Sequence, residues 1–160
     1  MTISAMAQCA PALGQGVASF FVEKAKYMRS AEKSVLVVED EKLLNWSLAS
    51  SLAKWGFNVR PVFTGGDAVA QLEKAAFDII LLDYQLPDLD GIAVARKIRQ
   101  KQPNAVIFLV TAFQLSELAL DAGLIDVYFN KPLDLQQLRQ ALIKAPECLG
   151  GKELETQRTS

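Results

Sequence analysis

Between Ser34 and Ala145 short apolar runs alternate with stretches of helical periodicity. Val35-Leu36-Val37-Val38 is a continuous apolar run that stops at Glu39-Asp40. Leu44, Leu48, Leu52 and Trp55 follow at i, i+4, i+8 and i+11, the stripe of an amphipathic helix, with Gly56 placed as its C′ residue. Asn58 to Phe63 predicts a second strand, and Thr64-Gly65-Gly66 turns it into a helix with Ala68, Leu72 and Ala75 inward. Ile79-Ile80-Leu81-Leu82, bounded by Asp78 and Asp83, predicts a third strand. A Pro/Asp/Gly loop leads into a helix carrying Ile92, Ala95 and Ile98 and ended by Pro103. Ala105 to Val110 predicts a fourth strand, Ser116 to Ala122 a short helix, and Asp126 to Phe129 a fifth strand. The last helix opens on Asp134 and Gln137, a capping-box-like pair, and turns Leu135, Leu138 and Leu142 inward.

Strands without polar alternation are buried on both faces, which predicts a parallel sheet covered by helices on each side: a doubly wound α/β domain over 34–145. Residues 1–33 fall outside this pattern. They are expected to form a poorly ordered extension, although Phe20, Phe21 and Val22 could add a helix. Residues 146–160 contain glycine and charge and are expected to be a solvated tail.

Composition narrows the function. With 51% hydrophobic and 22% charged residues in 160, the chain has the material for one globular core. Its formal net charge of −1 lacks the basic footprint of a nucleic-acid binder. It contains no histidine, which excludes a Ser-His-Asp triad, a Cys-His pair, a His-ligated metal and a phosphohistidine of its own. Cys9 and Cys148 lie near opposite ends and give no disulfide framework, so a reducing cytoplasm is expected. No apolar run approaches the ~18–20 residues of a membrane span. Met1 to Phe21 has no basic n-region, so neither a cleaved signal peptide nor membrane association is expected.

In an open α/β sheet, ligands bind beyond the carboxyl ends of the strands, where strand order reverses. The first strand delivers Glu39 and Asp40 to that edge, the third Asp83, the fourth Thr111 and the fifth Lys131. Three carboxylates placed together raise one another's pKa unless a cation neutralises them, and magnesium suits such an oxygen-rich site. One aspartate can then attack a phosphoryl donor to form an acyl phosphate, with Lys131 and the Thr111 hydroxyl holding phosphoryl oxygens.

Leu36-Val37-Val38-Glu39-Asp40, Ile80 to Gly91, Val110-Thr111-Ala112 and Asn130-Lys131-Pro132, in this order, resemble the receiver domain of two-component response regulators. The resemblance covers about 34–145. It implies a five-stranded flavodoxin-like fold of strand order 2-1-3-4-5, with Asp83 as phosphoacceptor. It also implies Mg2+ held directly by Asp40 and Asp83, by Glu39 mainly through water, and by the Gln85 main-chain carbonyl. Thr111 would be the switch hydroxyl, Lys131 the phosphate-binding lysine and Tyr128 the switch aromatic; a cis Lys131–Pro132 bond is implied as well. Two departures are visible: the span from Thr111 to Lys131 is a little shorter than usual, and Glu39 stands where Asp is commoner.

The implied function is a stand-alone phosphorelay switch charged by a histidine kinase or histidine phosphotransfer protein. Its output would go through contact with an unknown downstream protein, and it would not be a metabolic enzyme. Two other classes compete. A magnesium-dependent aspartyl-phosphate phosphohydrolase commonly has a second Asp two residues after the nucleophile, where this chain has Gln85. A constitutive docking module would not need the acidic pair, Asp83, Thr111 and Lys131 together. Among rival aspartates, Asp78 lies at the wrong end of its strand, and Asp88 and Asp90 suit a turn and a helix N-cap. Trp46 and Trp55 read as packing residues, and Gly65-Gly66 lacks the spacing of a dinucleotide loop.

Overall fold

The elements of the computed structural model follow in the order β1 (Ser34–Val38), α1 (Lys42–Lys54), β2 (Asn58–Val62), α2 (Gly65–Lys74), β3 (Ile79–Asp83), α3 (Gly91–Lys101), β4 (Val106–Thr111), β5 (Val127–Asn130) and α4 (Leu135–Leu149). The structure describes residues 33–113 and 123–149. The helix expected at 116–122, Cys9, the Phe20–Phe21 segment, the Cys148 side chain and the chain beyond 149 lie outside the described residues.

All strand pairs are parallel, in the order β2-β1-β3-β4-β5. Because every strand of the sheet's centre is apolar on both faces, the sheet has two cores. Leu36, Val38, Ile80, Leu82, Ile107 and Leu109 pack against Ala68 and Leu72 of α2 and Ile92, Ala95 and Ile98 of α3. Val35, Val37, Ile79, Leu81, Val106, Phe108 and Val110 pack against Leu48 and Leu52 of α1 and Leu138 and Leu142 of α4. β2 is one of the two edge strands and mostly solvent-facing, which is where Pro61 is tolerated. No described helix is long and apolar enough to cross a membrane.

The helix ends follow local chemistry. Gly56 at φ 90° lets α1 close in a Schellman motif: its N–H donates to the Ala53 carbonyl (3.0 Å), and that of Phe57 to the Leu52 carbonyl (3.2 Å). Thr64 Oγ1 accepts from Asp67 N–H (3.0 Å), Asp90 Oδ1 from Ala93 N–H (2.6 Å) and Asp134 Oδ1 from Gln136 N–H (2.7 Å).

Several side chains depart from the periodicity. Ala75 is exposed rather than inward, because α2 ends at Lys74 and Phe77 takes the core position. Leu135, the first residue of α4, is exposed, and Leu133 in the connection packs on the core instead. Trp46 is 73% exposed, not a packing residue, because Asn45, Leu48 and Leu52 at i, i+3 and i+7 form the inward face of α1. α4 runs through Pro146 to Leu149, four residues past the boundary expected at Ala145. Proline's fixed φ is itself close to helical, so the ring stops a helix only through the hydrogen bond and the space it removes.

Candidate functional site

Strand register brings the polar residues together. Val38 pairs with Leu82, so Glu39 and Asp83 emerge side by side at the carboxyl edge, between β1 and β3 where the chain's winding reverses. Asp83 pairs with Val110, placing Thr111 one residue beyond it; Thr111 pairs with Asn130, and Lys131 follows. The carboxylates of Glu39, Asp40 and Asp83 offer ligand oxygens within 4.8 Å of one another.

The electrostatics are those of a crowded anionic pocket. Glu39 and Asp83 are 3% and 4% exposed, whereas Asp40 reaches solvent. Lys131 Nζ donates to Glu39 Oε2 (3.1 Å) and Asp83 Oδ2 (3.0 Å). Burial, and then the Asp83 charge, hold the Glu39 carboxyl above its ordinary range despite Lys131. Burial also opposes the charge on Lys131, but its bonds to Asp83 and Glu39 outweigh that and raise its pKa. A single ammonium bonded to a cluster of three carboxylates leaves a charge deficit, and an all-oxygen donor set of this kind fits a hard divalent cation.

Thr111 is fully buried, and its Oγ1 accepts from Phe113 N–H (3.0 Å), which leaves its own proton to donate. Lys131 N–H donates to the Thr111 carbonyl (2.8 Å), and the Lys131–Pro132 peptide bond is cis. Gln85 N–H donates to Asp83 Oδ1 (3.3 Å), so the loop after β3 folds back over the aspartate. Tyr128 is half-buried and pairs with Leu109, two positions before Thr111; the alternation of side chains therefore puts Thr111 and Tyr128 on the same sheet face. Burial, then the charge of Asp126, raise the Tyr128 phenol.

Three supporting residues escape a reading of the sequence for chemistry. Asn45 is fully buried in α1, and its Nδ2 donates to the carbonyls of Glu39 (2.8 Å) and Val62 (2.7 Å), tying the ends of β1 and β2 together. Its spacing with Leu48 and Leu52 is the signal that marks it as inward. Gly91 N–H donates to the Tyr84 carbonyl (2.7 Å), and a Cβ at Gly91 would lie 2.7 Å from both the Asp83 carbonyl oxygen and Tyr84 Cα. Asp88 accepts from Gly65 N–H and Gly66 N–H rather than serving its own turn alone.

Known proteins resemble this chain in sequence and in fold. The response regulator receiver domain family matches residues 35–143. The transcriptional regulatory protein ZraR of Salmonella typhimurium is 38% identical over 114 residues, spanning 69% of this chain and 26% of that protein. A cyclic di-GMP phosphodiesterase of Thermotoga maritima is 36% identical over 115 residues, spanning 70% and 30%. The chain thus spans less than a third of the length of these relatives. Among solved structures, the response regulator TrrA of Thermotoga maritima in complex with Mg(2+)-BeF superposes with a TM-score of 0.66 at 28% identity, covering 71% of this chain and 99% of that one. With the strand order, the acidic edge and the matched span in agreement, this chain belongs to the response regulator receiver domain family.

Proposed function

We propose that the chain is a phosphorylation-controlled switch that takes a phosphoryl group onto Asp83 from a histidine kinase or histidine phosphotransfer protein. The observation that carries this reading is the Lys131 ammonium, held 3.0 Å from Asp83 and 3.1 Å from Glu39 in a carboxylate cluster of which these two are buried. Glu39, Asp40, Asp83 and the Gln85 carbonyl would hold Mg2+, with Glu39 acting mainly through water. When bound, the ion would neutralise charge shared by the cluster and the donor phosphate. A carboxylate oxygen of Asp83 forms the new P–O bond as the donor's P–N bond breaks, and the bonding pair leaves on the histidine nitrogen. Lys131 follows one phosphoryl oxygen and the Thr111 hydroxyl donates to another.

The chain catalyses its own phosphorylation and, by water attack on the acyl phosphate, its own dephosphorylation; it does not turn over a metabolite. Such a reading places it in the cytoplasm, with output through contact with a downstream protein. ZraR and the cyclic di-GMP phosphodiesterase bear quite different names, which fits one receiver serving many outputs. Incubation with magnesium and acetyl phosphate should give a single phosphoryl adduct by intact mass, lost in hydroxylamine and absent in Asp83→Asn. A wild-type chain that stays unmodified would point to a constitutive docking module, and continuous release of phosphate from many esters to a phosphohydrolase.

A further inference from the structure

The loop joining β3 to α3 carries Gln85 and is fastened at a second place, away from the charge cluster. Asp88 Oδ1 accepts from Gly65 N–H (2.8 Å) and Oδ2 from Gly66 N–H (2.7 Å), so one carboxylate satisfies two open amides in the first turn of α2. The cap residue of that helix, Thr64, takes a third amide, that of Asp67. Both glycines sit where the loop and α3 come close, Gly66 against Asp88 itself and Gly65 against Leu89 and Val94. A Cβ at Gly66 would sit 3.2 Å from Asp88 Oδ2, and one at Gly65 would sit 3.0 Å from Leu89 Cβ and 2.8 Å from Val94 Cγ2. Burial by itself would raise the Asp88 carboxyl, but the N–H bonds from Gly66 and Gly65 outweigh it and hold the group below its ordinary range. At the loop's other end, Gln85 pairs with Asp90, and Gly91 N–H donates to the Tyr84 carbonyl. Gln85 therefore lies in a loop fixed to β3 and α3 on one side and to α2 on the other.

We infer that Asp88 is a positioning residue for the cation. By tethering the loop to the N-terminal turn of α2, it sets where the Gln85 main-chain carbonyl stands relative to Glu39, Asp40 and Asp83. This rests on the reading of the cluster as a magnesium site. The tether differs from the Asp90 cap, which serves its own helix three residues on.

The test compares three variants of the full chain by magnesium titration calorimetry and by urea unfolding without magnesium. Asp88→Ala should raise the magnesium Kd about tenfold, the lower end of what outer partners of metal ligands contribute. Asp88→Asn, which keeps the shape and one acceptor oxygen, should fall between Asp88→Ala and wild type, and it carries the test if the alanine variant does not fold. Thr64→Ala removes a cap from the same helix without touching the loop; it should lower the urea midpoint and leave the magnesium Kd unchanged. Wild-type affinity in Asp88→Ala overturns the tether while leaving the metal site standing. Equal weakening by Thr64→Ala overturns it too, since helix stability rather than the tether would then set the affinity. A wild-type chain that binds no magnesium overturns the site reading, and the positioning role with it.

Discussion

Gly91→Ala adds a single methyl group at the first residue of α3, a position where alanine ordinarily helps. Replacing glycine reduces the freedom of the unfolded chain and is worth about 0.4–1 kcal/mol where the backbone accepts it. Here the new Cβ would meet the Asp83 carbonyl oxygen and Tyr84 Cα at 2.7 Å each, and Leu109 Cδ1 at 3.2 Å. Two of these three are backbone atoms at the end of a central strand, so relief must come from displacing β3 or α3. Overpacking of this kind costs about 1–3 kcal/mol, more than the entropic gain. The net expectation is a loss of about 1–2 kcal/mol in urea unfolding. The displacement falls on the backbone of the proposed phosphoacceptor, where a shift of the order of 1 Å can cost ~100-fold in rate. Phosphorylation by acetyl phosphate, followed by mass, should therefore slow well beyond what the lost stability explains. A variant as stable as wild type and phosphorylated at the same rate would refute the argument that this glycine is set by close approach. Gly123→Ala gives a contrast. Its φ of +79° brings strain, but its Cβ would meet nothing within 4 Å, so only stability should suffer.

Asp40→Asn should abolish most of the magnesium-induced stabilisation, which for the wild type reaches about 2.7 kcal/mol at a concentration of 100 Kd; thermal melts with and without magnesium decide it. Glu39 has its native pKa raised above the ordinary 4.5, so the native state binds that proton more tightly than the unfolded chain does, and the stability it contributes is lost as pH rises through the raised value. Without magnesium, the stability of Glu39→Gln relative to wild type should therefore increase with pH across that window, and a flat difference in urea midpoints would contradict the assignment. Asp88 has the opposite sign: its lowered pKa contributes stability above the ordinary value of 3.8 that is lost as pH falls through the native value, so Asp88→Asn should show a shallower acid limb. Thr111→Ala should still accept the phosphoryl group, but beryllofluoride should no longer perturb amide signals around Tyr128; a full response there would show that the coupling runs by another route.

The fold is legible because three strands, β1, β3 and β4, are apolar at successive positions, a pattern that only a sheet covered on both faces can bury. The acidic residues and Thr111 are legible as a group because they close or directly follow such runs, and Lys131 because it follows β5, so strand polarity alone sends them to one edge. What supports them is harder to see. Asp88 meets Gly65 and Gly66 across 23 and 22 residues, and a Pro-Asp-Leu-Asp turn has the same composition whether its aspartates cap locally or bond a distant helix. Asn45 is a polar residue on an inward face, and its burial becomes intelligible only when the carbonyls of Glu39 and Val62 are seen to converge on it. Trp46 and Leu135 mislead in the other direction. Trp46 is apolar but lies off the face that Asn45, Leu48 and Leu52 turn inward. Leu135 shares the spacing of Leu138 and Leu142 yet sits at the first residue of α4, where periodicity alone does not fix burial.

The hydrogen bonds of the resting site indicate what phosphorylation would have to exchange. Lys131 is bonded to two carboxylates, so following a phosphoryl oxygen means loosening Glu39, whose charge is already disfavoured by burial. Its backbone N–H is committed to the Thr111 carbonyl, so the motion can be confined to the side chain while β4 and β5 keep their register. Thr111 Oγ1 holds Phe113 N–H, and the Phe113 ring stands edge-on, centroids 5.5 Å apart, to that of Tyr84, next in sequence to Asp83. The hydroxyl could donate without losing that bond, but a rotation that carries the oxygen toward a phosphoryl group would release the Phe113 N–H and the start of the β4–β5 connection with it. Tyr128 stands on the same sheet face, opposite Leu109 two positions before Thr111. One buried hydroxyl thus lies between the charge cluster and two aromatic neighbourhoods. A local change in hydrogen bonding can shift a wider population here only because each of those contacts is individually weak.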